Sequence, residues 1–164
     1  MSVRFGALLF LAAAQALPVD GGAGHGKCRI VVRAISATGG SDPGSTDPRL
    51  EPIAQNLREF SKDFRFKTFR LLSEEKNDLE WKKQAQVELP GSRSLQIEPR
   101  EIGSDGRIKV HLELLGEHPA HSRKLHTDYS IQRGGTIFVG GLRLVPERPD
   151  EGMLLIAVTA QSID

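Results

Sequence analysis

The chain has one cysteine, one tryptophan and one tyrosine in 164 residues, and aromatic residues make up only 5% of it. A single cysteine, Cys28, excludes an internal disulfide, so stability has to come from a packed apolar core. There is no excess charge of either sign: 22 Lys and Arg stand against 21 Asp and Glu. That balance removes the long-range basic field on which nucleic-acid and anionic-membrane binding depend, and no nucleic-acid partner is expected. No segment reaches the ~20 consecutive apolar residues that a membrane-crossing helix needs.

Catalytic signatures are missing too. No G-x-S-x-G elbow places a serine on a strained turn, and no dinucleotide fingerprint is present. The stretch "RGGTIFVGGL", 133–142, spaces Gly135 and Gly140 as a phosphate loop does. The Lys and Ser/Thr of that motif are replaced by Gly141 and Leu142, and the intervening Thr136–Val139 are strand formers. Glu74, Glu75 and Asp78 lie in the mixed-charge run "SEEKNDLEWKK", which reads as a solvated loop with nothing apolar nearby to raise a carboxyl pKa. The expectation is a non-enzymatic protein without a cofactor.

The first residues carry the strongest local signal. Arg4, the apolar stretch Phe5–Ala14 and the small-residue exit Ala14-Gln15-Ala16 follow the order of a secretory signal peptide cleaved near Ala16. This predicts export to the periplasm or the extracellular space, with a flexible leader over 17–27 and one domain over 28–164. Arg4 is the only charge in the signal, so its removal leaves the remainder neutral. About 148 residues are then enough to bury roughly 68–70% of the unfolded chain's surface. Cys28 lies well downstream of the apolar stretch and follows "GHGK", which does not fit a lipid-attachment site. It reads as a small core hydrophobe opening a strand, or alternatively as a cysteine that pairs between chains.

Period-two alternation predicts most of the domain. In "CRIVVRAI", 28–35, Cys28, Ile30, Val32 and Ala34 share a face opposite Arg29 and Arg33. "SATGGSDPGSTDPRL" is a turn-rich loop. Asp47-Pro48 starts a helix, and Leu50, Ile53, Ala54, Leu57 and Phe60 form one apolar stripe to about residue 61. Phe60, Phe64, Phe66 and Phe69 span the junction to the next strand, with Phe60 and Phe64 expected inward beside Leu57. Strands follow at 68–73, 85–89, 95–97, 108–114 and 125–132, with a hairpin at Asp105-Gly106. Gly134-Gly135 are read as closing a hairpin from Ile131, and Gly140-Gly141 as releasing the chain toward a loop. Met153–Val158 is apolar on both faces and predicts a central strand or one covered on both sides. The fold class is α+β: a mainly antiparallel, sandwich-like domain with one packed amphipathic helix over about 47–61.

Three histidines, His118, His121 and His126, lie close together in "EHPAHSRKLH" and are the candidate metal ligands. Their spacing matches no single helix face, and exposed loop histidines are the plainer account. Trp81 is either a partner anchor or a cap on the core edge; with Cys28 it completes the candidate interaction residues.

Two resemblances bear on function. "GGTIFVGGL" followed by "GMLLIAVTA", within 125–160, resembles a strand–GG–strand segment of the outer-membrane secretin family. The secretin lip and membrane-crossing strands have no counterpart, so the resemblance implies no site residue. More widely, "VRAISAT", "DPRLEPIAQNLREF", "FRLLSEE" and "LPG" with "SLQIEP" resemble small exported bacterial proteins of unassigned function, which implies an envelope setting. The expected role is therefore an interaction or assembly module, accessory to an envelope or secretion machine, whose partner is another envelope protein. The alternative is an exported small-ligand binder or enzyme with its site on the loops 39–47 and 116–126.

Overall fold

In the computed structural model, which describes residues 26–40, 43–116, 123–145 and 147–163, the alternation of "KCRIVVRAISAT" becomes strand β1, Lys27–Thr38. Cys28, Ile30, Val32 and Ala34 face one core, and Ile35 and Ala37 face another. The expected signal segment 1–16 and all but the end of the leader lie outside the described residues.

Seven further strands follow: β2 (Thr68–Glu80), β3 (Ala85–Leu89), β4 (Arg93–Ile102), β5 (Ile108–Leu115), β6 (Arg123–Ile131), β7 (Thr136–Val145) and β8 (Arg148–Ile163). They form two four-stranded antiparallel sheets, ordered β2-β1-β8-β7 and β3-β4-β5-β6. The strands therefore follow one another around the sandwich in chain order, and β1 closes on β8. The space between the sheets is filled by the inward residues of both, among them Ile30, Leu95, Ile97, Leu112, Leu154 and Ile156. A helical segment lies on the other face of the first sheet and buries Leu50, Ile53 and Leu57 against Ile35, Phe69, Leu155 and Ala157. β8 is thus central and covered on both faces, as its unbroken apolar run predicts.

Four sequence expectations need correction. The single helix over 47–61 is a 3-10 helix, Pro48–Ile53, followed by α1, Ala54–Asp63. Pro52 has no N–H to donate and its ring crowds the preceding turn, so the α-helix begins only after it. The apolar spacing changes accordingly, from three between Leu50 and Ile53 to four between Ile53 and Leu57. Second, the charged run after Ser73 is strand, not loop. Across the β1–β2 pairing Arg33 donates to Glu74 at 2.8 Å and Arg29 to Asp78 at 2.7 Å, and such opposite-charge cross-strand pairs support pairing where apolar contacts are few.

Third, Gly134-Gly135 turn the chain from one sheet to the other rather than closing a hairpin, since β6 and β7 belong to different sheets. The Gly134 N–H donates to the Ala160 carbonyl at 2.8 Å and so stitches this corner to β8. Fourth, Gly140-Gly141 do not release the chain: they form a bulge inside β7. Val139 faces Ile156 and Leu142 faces Leu154, so both glycines oppose Leu155. β8 then begins at Arg148, earlier than the loop expected before Met153.

Cys28 is fully buried between the sheets, and burial pushes its thiol pKa up to about 11. The folded chain is expected to resist a thiol-labelling reagent at about pH 8, where an exposed cysteine is partly thiolate, and to label fully only in denaturant. Rapid labelling in native buffer would show that β1 opens.

Candidate functional site

An aromatic groove lies where α1 meets the first sheet. α1 ends at Asp63, and Phe64 is already extended at φ −127°, ψ 148°. This takes its ring off the helical face expected for it: Phe64 is 49% exposed. It stacks on Phe60 with centroids 4.3 Å apart and an interplanar angle of 19°. Phe60 in turn meets Phe138 of β7 at 5.1 Å, and Phe66 extends the row at 6.3 Å from Phe64. These four rings, with Met153, Leu155 and the Gly140-Gly141 bulge, line a cavity of about 390 Å³.

The two edges of the first sheet differ. At the start of β2 the chain covers its own edge. The Phe69 N–H donates to the Ser45 carbonyl at 2.9 Å and the Asp47 N–H to the Phe69 carbonyl at 2.8 Å, while the Leu71 N–H donates to Asp47 Oδ2 at 3.2 Å. The Arg49 guanidinium and backbone N–H beside Asp47 hold its carboxyl well below the usual carboxylate range. β7 lies at the opposite edge, and no described strand pairs with its outer side. The groove opens beside that edge.

The second constellation is on the outer face of the other sheet. β5 carries His111 and Glu113 two residues apart, so alternation puts both on one face. β6 does the same with His126 and Asp128. Register sets Glu113 opposite His126 and His111 opposite Asp128. His111 Nδ1 lies 2.5 Å from Asp128 Oδ1, and its Nε2 lies 3.4 Å from Glu113 Oε1. His126 Nδ1 lies 3.6 Å from the same Glu113 oxygen, and Arg123 Nε is 3.7 Å from the other one. The hydrogen bond from His111 holds the Asp128 carboxyl below its ordinary pKa. His111 and Glu113 are half-buried, with side-chain exposures of 15% and 18%.

Of the histidines singled out from sequence, His126 belongs to this cluster; His118 and His121 lie outside the described residues. His111, Glu113 and Asp128 were missed. The visible signal was the pair of i, i+2 patterns, H-x-E on one strand and H-x-D on the next. Trp81 sits in the β2–β3 turn, half-buried and packed against the core between the sheets. Cys28 points into that same core. Glu74 and Asp78 face the β1 arginines, and Glu75 lies on the exposed part of β2.

Fold and sites together define a sheet-dominated α+β sandwich with an aromatic groove on one side and a histidine–carboxylate cluster on the other. Comparison with known protein families, with curated proteins and with solved structures finds no match to this chain.

Proposed function

We propose that the chain is an exported, non-enzymatic interaction module that receives an extended apolar segment of another envelope protein along the open edge of β7. The observation that carries this reading is the juxtaposition of that edge with the phenylalanine groove. An unpaired strand offers a row of backbone donors and acceptors, and an adjacent pocket selects the side chain that accompanies them. A volume of about 390 Å³ accommodates one or two large apolar side chains. The opposite edge, blocked by residues 44–47, offers no such row at its start. The Gly140-Gly141 bulge limits regular pairing to Thr136–Val139, so the segment held is short. The signal-like residues 1–16 support the export part of the reading.

Phe64 is the anchor to test, because it is exposed and not part of the core. Phe64→Ala is expected to weaken partner recovery from envelope extracts tenfold or more, in the range of a hot-spot aromatic, with the thermal midpoint nearly unchanged. A photo-crosslinking residue at position 64 should capture an extended apolar segment. Undiminished recovery by the alanine variant, or a chain that is monomeric and partnerless at native abundance, would remove the proposal.

One observation favours a small-ligand reading: a polar recess of about 500 Å³ between the 43–46 loop and α1, lined in part by Ser45, Thr46, Arg58, Ser61 and Lys67. Its basic lining suits a small anion.

A further inference from the structure

We infer that His111, Glu113 and His126 bind one divalent transition-metal ion, with zinc the best match, and that Asp128 positions His111 for it. The three ligand-bearing atoms lie within 4.8 Å of one another. The separations of His111 Nε2 and His126 Nδ1 from Glu113 Oε1 are 3.4 and 3.6 Å. Those are long for hydrogen bonds. They match the edge of a ligand tetrahedron, about 3.3 Å when metal–ligand bonds are about 2.0–2.1 Å.

The orientation of His111 supports the same conclusion. Asp128, a carboxylate, can only accept, so the proton of the neutral His111 ring sits on Nδ1. The Nε2 lone pair is then directed to the Glu113 side. A histidine held through one nitrogen by a carboxylate, with its other nitrogen free for a metal, is the recurrent outer arrangement of zinc ligands. The His126 ring stands at 81° to that of His111, with centroids 4.6 Å apart, so the two rings are not stacked face to face. Arg123 approaches Glu113 Oε2 and leaves Oε1 as the donor shared by both histidines.

Two imidazoles and one carboxylate suit zinc and its neighbours in the first transition row, not magnesium or calcium, which prefer all-oxygen cages. Three ligands among the described residues leave a fourth position for a further donor. The cluster lies on the face of the sandwich away from the phenylalanine groove, so this inference does not depend on the proposed function.

The test is titration of the untagged, chelator-treated full chain with zinc by calorimetry, and with cobalt(II) by visible absorption. The expected result is one saturable site per chain, a tetrahedral-type cobalt spectrum, and a zinc-dependent rise in the thermal midpoint. His111→Ala and His126→Ala should each weaken zinc at least a hundredfold. Asp128→Asn should weaken it about 10- to 100-fold while keeping the cobalt spectral shape, as expected of a positioning residue. Absence of saturable zinc binding by the wild-type chain would overturn the inference. So would binding that survives the His111/His126 double variant. Should the His111 variants fold poorly, the wild-type titration and cobalt spectrum still decide.

Discussion

Replacing Ile156 by alanine is expected to lower the unfolding free energy by about 2–5 kcal/mol, the range for truncating a buried isoleucine. The residue is fully buried. It occupies the middle of β8, pairs with Ala34 on one side and Val139 on the other, and points into the core between the sheets. Both neighbours are smaller than it, and Ala34 has little side chain with which to fill a void. The lost methyl contacts therefore remain as a cavity rather than being recovered by collapse. The measurement is denaturant unfolding: the midpoint should fall while the slope stays constant. Leu72→Ala is the comparison. Leu72 is 42% exposed at the irregularity in β2, and its truncation should change stability by no more than about 0.5 kcal/mol. Equal effects at the two positions would mean that β8 is not the centre of the fold.

The second large effect is expected at Gly44. Its φ of +83° is one that L side chains adopt at a cost of about 1–3 kcal/mol. The neighbourhood is also closed: a Cβ there would lie 2.4 Å from the Lys67 carbonyl oxygen and 2.8 Å from Lys67 Cβ. A backbone oxygen cannot rotate away, so Gly44→Ala must push residues 44–47 off the edge of β2. Gly106→Ala separates the two causes. Gly106 has a similar φ of +79° but nothing within 4 Å of its would-be Cβ, so it pays the conformational term alone. The alanine at 44 should be the more destabilising of the two. It should also speed amide exchange at Phe69 and Leu71, whose N–H groups bond to Ser45 and Asp47, and leave the amides of β8 protected. Indistinguishable variants would show that the loop is not seated against β2.

What could be read from the sequence divides along a physical line. Strands with one face in the core, such as β1 and β5, declare themselves by alternation, and β8 declares its double cover by losing alternation. The second half of β2 does neither. Leu72 to Lys76 are exposed in succession, and the strand is held in part by arginines of β1 more than 40 residues away in the chain. The same limit hid the histidine cluster. H-x-E and H-x-D each fix a shared face within one strand, but only the β5–β6 register brings the two pairs together. Glycine pairs mark changes of direction without saying whether the next strand returns to the same sheet, so Gly134-Gly135 reads as a hairpin in sequence and is a corner between sheets in the fold. Helical spacing places Phe64 inward, but the helix stops one residue before it.

The pairing of β1 with β8 also sets the order of events during synthesis. Lys27 meets Ile163 and Ala37 meets Met153, so β1 acquires one of its two neighbours only when β8 has been translated. Until then Ile30, Val32 and Ile35 have no β8 beside them, and the interior of the sandwich stays open along its middle. Closure of so distant a contact belongs to the slow end of two-state folding, milliseconds to seconds. β8 acts as a clasp: the sandwich stays unlatched until that strand lies beside β1.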